Sequence, residues 1–88
     1  MDQAAEKAAS TDAILARIRE IFRAELEDDD LTVQLDTRQT DLKAWDSLAQ
    51  IRLVSAVEGE FDIQFSLSEI EHITSVRQFV DLVQQRAT

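Results

Sequence analysis

The sequence of 88 residues contains no proline and a single glycine, Gly59. Turns between β-strands usually depend on these two residues, because glycine adopts positive φ without strain and proline presets the φ of a turn. Their scarcity therefore favours helices joined by loops. The length suits one domain with one small core, and an apolar fraction of 44% is enough to form that core. No apolar run reaches the length of about 20 residues that a membrane-spanning helix requires.

Two segments carry apolar residues at the three- and four-residue spacing of an amphipathic helix. The first helix is predicted to start after residue 10 and to end in the acidic run 27–30, because negative charge at a helix C-terminus opposes the helix dipole. The second is predicted to start at Asp46, a good N-cap residue, and to close near Glu60. The stripe of this second helix that is expected to face the core consists of Leu48, Ile51, Val54 and Val57, and it is widened by Leu53 and Ala56.

The remainder of the chain predicts one long loop and two further helices. Residues 31–45 show no clear period and predict a loop pinned to the core by its apolar side chains. Ser66 and Glu69 have the spacing of a capping box, which predicts a short third helix over about 67–72. A last helix is predicted to follow residue 74 or 75.

Together these elements predict an all-α fold, a four-helix bundle with three longer helices, a short third helix and a long loop between the first and second. Residues 1–10 are predicted to form a flexible N-terminal tail, and residues 11–88 a single folded domain. The N-terminal residues are rich in alanine and charge and lack the apolar stretch of a secretory signal, so a cytoplasmic location is expected.

Charge and cysteine content narrow the function further. Nine Lys and Arg residues stand against eighteen Asp and Glu residues, which gives a formal net charge of −9. Such a surface repels nucleic acids and anionic membranes and attracts basic protein surfaces. The absence of cysteine excludes disulfides, thiolate metal sites and cysteine nucleophiles, so any thioester chemistry has to take its sulfur from a cofactor.

The segment 42–48 places the hydroxyl of Ser47 at the first turn of the second helix, directly after the long loop. Unpaired N–H groups at a helix start and the helix dipole both favour an anion, so a phosphodiester on Ser47 would be stabilised there. The neighbouring Asp46 opposes this by like-charge repulsion, and helix capping alone also explains an Asp-Ser pair. A Ser-His hydrolase is disfavoured, because the only histidine is His72 and no Gly-x-Ser-x-Gly turn is present.

Metal binding is not expected. The run Asp28-Asp29-Asp30 lacks the alternating acids, the central glycine and the closing glutamate of a calcium-binding EF-hand loop. A charge run of this kind is typical of a solvated surface.

The residues Asp46-Ser47-Leu48 resemble the attachment motif of acyl carrier proteins, which are phosphopantetheine-binding carrier domains. The similarity continues through residues 49–63, which resemble the second helix of that family and its exit, and through 66–83, which resemble its third and last helices. It covers essentially residues 11–86. The sequence departs from the family pattern at Ala44 and Trp45, where many carriers have glycine.

This resemblance implies a carrier and not an enzyme. A phosphopantetheinyl transferase would move 4′-phosphopantetheine from coenzyme A to Ser47, with Asp46 and Leu48 flanking the attachment point. The arm would hold acyl groups as thioesters and deliver them to partner enzymes of fatty-acid, polyketide or related specialised lipid biosynthesis. In such a carrier the phenylalanine-containing core can part to shelter an acyl chain. The alternatives are an aminoacyl carrier, or an acidic helical adaptor that binds a basic partner without covalent modification.

The partners that the resemblance implies are acyl-activating, synthase or transferase enzymes with basic docking surfaces, acting on a monomeric carrier. We expect these partners to contact Trp45, Gln50, Arg52 and Glu58. For Trp45 a second interpretation is open, in which its ring anchors the long loop in the core. Carriers of fatty-acid synthesis usually keep acids along the second helix, where this chain has Gln50 and Arg52. This departure favours a specialised pathway.

Overall fold

The computed structural model describes residues 10–87, with side chains described through Arg86. Its helices are, in chain order, α1 (Thr11–Glu25), a short 3₁₀ helix (Gln39–Asp41), α2 (Ser47–Phe61), α3 (Leu67–His72) and α4 (Val76–Ala87). The predicted four-helix bundle is confirmed, including the short third helix and the long loop. Within the described range, none of the helices combines the length and apolar character needed to cross a membrane.

The ends of α1 follow from its sequence. The hydroxyl of Ser10 accepts a hydrogen bond from the backbone N–H of Ala13 at 3.2 Å, which caps the helix start. The helix ends just before Glu27, which adopts a left-handed φ of 55° at the beginning of the acidic run. The predicted flexible tail lies, apart from Ser10, outside the described residues.

The core lies between α1, α2 and α4, and its centre is aromatic. The ring of Phe22 meets Trp45 edge-on with centroids 4.9 Å apart and meets Phe79 in the same manner at 5.9 Å. Trp45 and Phe79 are stacked with centroids 6.3 Å apart. These geometries are the ones that aromatic pairs prefer. Around the three rings lie the buried side chains of Ile14, Ile18, Val33, Leu53, Val57, Ile73, Val76, Val80 and Val83.

The long loop between α1 and α2 is tied to the rest of the domain by backbone hydrogen bonds. The N–H of Gln39 donates to the carbonyl of Thr74 at 2.8 Å, and the N–H of Val76 donates to the carbonyl of Thr37 at 3.0 Å. The loop therefore runs along the start of α4, and its buried Val33 side chain adds an apolar contact with the core. These contacts hold the loop in a fixed position where it leads into α2.

The orientation of α2 differs from the predicted one. Leu48 and Ile51, which the sequence placed in the core stripe, are 70% and 64% exposed. The buried side chains of this helix are those of Ala49, Leu53, Val54 and Val57. The prediction is wrong for the first two turns because apolar residues occur on two faces of the helix there. The small Ala49 side chain, and not the larger Leu48, faces the core.

Helix α3 has six residues, a length that is not stable by itself in water. The predicted capping box is confirmed: the hydroxyl of Ser66 accepts from the N–H of Glu69, and the Glu69 carboxylate accepts from the N–H of Ser66. The guanidinium of Arg86 on α4 pairs with the Glu69 carboxylate, and this bond is the main reason that the pKa of Glu69 is lowered. Nε2 of Gln78 donates to the carbonyl of His72 at 2.9 Å. Side chains from other helices therefore hold α3 in place.

Candidate functional site

Ser47 is the first residue of α2, and its side chain is exposed. The preceding Asp46 is the N-cap, as the sequence predicted: its backbone is extended, and its Oδ1 accepts from the N–H of Ala49 at 2.9 Å. The first N–H groups of a helix carry the positive end of its dipole. The hydroxyl of Ser47 is therefore open to an incoming reagent at a position that favours a negatively charged substituent.

Trp45, two residues before Ser47, anchors the end of the long loop. Its ring is only 2% exposed. Its backbone N–H donates to the carbonyl of Leu42 at 3.0 Å, and its own carbonyl accepts from Nε2 of Gln39 at 3.1 Å. The predicted partner contact at Trp45 is wrong, because a ring packed into the aromatic centre is not at the surface. The alternative role, as the core anchor of the loop, is the one that the structure supports.

Gln50, one turn into α2, uses its side-chain amide for three hydrogen bonds. Its Oε1 accepts from Nε1 of Trp45 at 2.7 Å, and its Nε2 donates to the carbonyls of Ile70 at 3.0 Å and Ile73 at 3.1 Å. The amide thus connects the loop anchor to the C-terminal end of α3. The predicted partner contact at Gln50 finds no support here, because its polar atoms are engaged within the domain.

A groove opens beside the Ser47 hydroxyl. Its other lining residues are Gln39, Gln50, Ile70, Glu71 and Ile73. On α2 itself, Leu48 and Ile51 project into solvent, and their spacing of three residues places them on one face. Ile51 was predicted to face the core, and its place at the surface was not predicted. The competing stripe of Ala49, Leu53 and Val57, spaced by four residues, was the signal that could have identified it.

Charge is sparse on α2 near Ser47. Arg52 is the only charged residue in the first three turns, and its guanidinium donates to the carbonyl of Glu25 at 3.3 Å. The side chain of Arg52 is 51% exposed, so partner binding by Arg52 stays a prediction. At the far end of the helix, the Glu58 carboxylate accepts from the N–H of Phe65 at 2.9 Å and holds the segment that leads into α3. The predicted partner contact at Glu58 therefore also finds no support.

Known proteins match this chain over most of its length. A family model described as a phosphopantetheine attachment site matches residues 16–83. The acyl carrier protein of Phenylobacterium zucineum (strain HLK1) is 36% identical over 73 residues, which are 83% of this chain and 92% of that protein. The acyl carrier protein of Buchnera aphidicola subsp. Acyrthosiphon pisum (strain Tuc7) is 42% identical over 41 residues, 47% of this chain and 51% of that protein.

Among solved structures, the solution NMR structure of holo acyl carrier protein from Geobacter metallireducens matches with a TM-score of 0.76. Its sequence identity with this chain is 32%, and the match covers 83% of this chain and 84% of that one.

Proposed function

The chain belongs to the acyl carrier protein family, and from that premise we propose that Ser47 is the residue that carries its 4′-phosphopantetheine arm. Members of this family carry acyl groups for partner enzymes and are not themselves catalysts. When attached, the arm supplies a terminal thiol that holds acyl groups as thioesters. It thereby provides the sulfur that a chain without cysteine lacks.

The observation that supports Ser47 is an exposed hydroxyl at the start of α2, next to a loop end anchored in the core. The helix dipole stabilises a negatively charged phosphodiester at an exposed helix start by about 0.3–1 kcal/mol. The carboxylate of Asp46 is engaged by the N–H of Ala49, which holds the helix start in shape. The exposed side chain of Leu48 stands next to the hydroxyl. We assign Asp46 and Leu48 to the surface that surrounds the attachment point.

Attachment requires the carrier to present its hydroxyl, and a separate phosphopantetheinyl transferase to activate it. Oγ of Ser47 forms a bond to the phosphorus at the phosphopantetheine end of coenzyme A. The bond from this phosphorus to the remainder of the donor breaks, and adenosine 3′,5′-bisphosphate leaves. The proton of the hydroxyl passes to the transferase. The contribution of this chain is therefore the placement of one oxygen atom in solvent.

We assign the cargo to acyl groups of fatty-acid, polyketide or related specialised lipid biosynthesis. The compared relatives are acyl carriers, which favours acyl over aminoacyl cargo. In its first three turns α2 exposes Leu48, Ile51 and a single charge, Arg52, and this surface favours partners of a specialised pathway over those of general fatty-acid synthesis.

The partners that fit this surface are acyl-activating, synthase or transferase enzymes that contact Leu48 and Ile51 through apolar groups. Basic docking surfaces on these enzymes would be attracted by the net charge of −9. A monomer in the cytoplasm, where coenzyme A is available as donor, completes the proposal.

The experiment is incubation of the purified chain with coenzyme A and a transferase of broad specificity, followed by intact-mass measurement. The wild-type protein should gain the mass of one phosphopantetheine group. Ser47→Ala should gain none, because the accepting oxygen is gone. Ser55→Ala is the matched control, since Ser55 is exposed on the same helix and its loss should leave the gain unchanged.

Two results would contradict the proposal. One is an unmodified wild-type protein under conditions in which another carrier is fully modified. The other is a Ser47→Ala variant that gains the same mass as the wild type.

A further inference from the structure

Next to Ser47, the side-chain amide of Gln50 links α2 to the C-terminal end of α3, and the line along which these two helices meet is called the seam below. Both of its N–H groups donate, to the carbonyls of Ile70 and Ile73, and its oxygen accepts from the indole N–H of Trp45. These partners also determine the orientation of the amide. A flipped amide would turn its oxygen toward two carbonyl oxygens and its N–H groups toward an indole N–H.

These three hydrogen bonds, the Gln50 bridge, lie between the surface and the core. On its outer side is the groove that includes Ser47. On its inner side is the ring of Trp45, which is 2% exposed. An acyl chain that entered the core from Ser47 along this seam would have to move α3 away from α2. The Gln50 bridge is the hydrogen-bonded link between the two helices at that point.

Opening the seam would leave polar groups without partners. Opening would break the bond from Gln50 to the Ile73 carbonyl and the bond from the Trp45 indole N–H to Gln50. The Ile70 carbonyl would lose its 3.0 Å bond from Gln50 and keep the longer 3.4 Å bond from the N–H of Ile73. An apolar chain offers no hydrogen bond in exchange, and buried polar groups without partners are unfavourable. An acyl chain entering the core along the seam would also have to displace the ring of Trp45, which is packed against Phe22 and Phe79.

We propose that Gln50 is a specificity-determining residue that keeps the acyl cargo of this carrier outside the core. The inference rests on the proposed function, because it concerns cargo held on an arm at Ser47. Cargo outside the core stays accessible to partner enzymes and also to water. Since each CH₂ group kept in water is unfavourable, the carrier is suited to short or polar acyl groups and not to long apolar chains.

The test compares the chemical accessibility of a short and a long thioester on the same carrier. The arm-bearing protein is loaded with a butanoyl or a dodecanoyl group, and cleavage by hydroxylamine is followed by intact mass. In the wild-type protein the two thioesters should be cleaved at similar rates. In Gln50→Leu, which introduces an apolar side chain of similar size and removes the bridge, the long-chain thioester should be cleaved at least about fivefold more slowly than the short one.

The ratio of the two rates separates specificity from a purely structural role, because general loosening of the domain changes both rates together. Gln78→Leu is the matched control: it also removes a glutamine bond to a carbonyl of α3, at His72, but Gln78 does not line the groove beside Ser47. Its ratio should match that of the wild type.

Three results would overturn the inference: slow cleavage of the long thioester in the wild-type protein, an unchanged ratio in Gln50→Leu, or an equal effect in Gln78→Leu. If Gln50→Leu does not fold, the wild-type comparison alone decides. Failure to attach the arm at Ser47, which is read from the mass before loading, would instead count against the proposed function.

Discussion

Replacing Trp45 with alanine should destabilise the domain by about 3–5 kcal/mol, the range for removal of a large aromatic side chain from a core. The ring is 2% exposed and lies 4.9 Å from Phe22 and 6.3 Å from Phe79 between centroids. Its Nε1 also supplies the hydrogen bond to Gln50 Oε1 at 2.7 Å, which alanine cannot replace. A chain of 88 residues has a total stability of about 4–13 kcal/mol. The variant should therefore lose a large part of its stability.

The measurement is urea unfolding followed by far-ultraviolet circular dichroism, because the variant has no tryptophan left to report by fluorescence. In the wild-type protein, emission from the single tryptophan should shift to longer wavelength in the same transition. Leu48→Ala is the control. It removes a large apolar side chain that is 70% exposed, and it should change the free energy of unfolding by no more than about 0.5 kcal/mol. If Trp45→Ala and Leu48→Ala have equal effects, the ring is not a core anchor.

Three further predictions concern the stability of α2 and α3. Gly59→Ala should stabilise the protein by about 1 kcal/mol in thermal unfolding, because Gly59 lies inside α2 and an added Cβ meets no atom within 4 Å; destabilisation would contradict this. Asp46→Ala should lower the free energy of unfolding by about 1 kcal/mol and slow attachment of the arm, because the cap of α2 is lost. Asp46→Asn should keep most of the stability and most of the attachment rate, because asparagine also caps helices. Equal losses in the two variants would show that capping is not the reason. The pKa of Glu69 is lowered, mainly by its hydrogen bond with Arg86, so the ionised carboxylate stabilises the folded protein at neutral pH. This stabilisation is lost as the pH falls through the lowered pKa and the carboxylate is protonated. Titration of stability with pH should therefore show the advantage of the wild type over Glu69→Gln shrinking in acid, and a gap independent of pH would refute this.

The helix boundaries could be predicted because their signals are local. Asp46 and Ser66 cap α2 and α3 through hydrogen bonds that span three residues, and a bond of that span is visible as a sequence pattern. The scarcity of glycine and proline removed competing turns. The position of Ser47 at a helix start followed from the same local signals, so this part of the candidate site was predicted as well.

The face of α2 that packs against the core could not be predicted, because its sequence satisfies two helical stripes. Leu48 and Ile51 form one stripe, and Ala49, Leu53 and Val57 form the other. The choice between them depends on what lies beneath the helix start. At the helix start the small side chain of Ala49 is fully buried, whereas the larger Leu48 is 70% exposed. Such a choice is made by tertiary packing, which local periodicity does not encode.

The charge of the chain has different consequences at long and at short range. A net charge of −9 attracts basic partners from a distance. Yet the first acid along α2 after its cap is Glu58, which a helical rise places about 16 Å from Ser47. Since physiological salt screens charges over about 8 Å, this acid adds little to contacts made at the hydroxyl. The exposed groups of α2 nearest that hydroxyl are Leu48 and Ile51. On α2 beyond its cap, the surface nearest the hydroxyl is therefore apolar, and the acids close to Ser47 are the cap residue Asp46 and Glu71 in the groove.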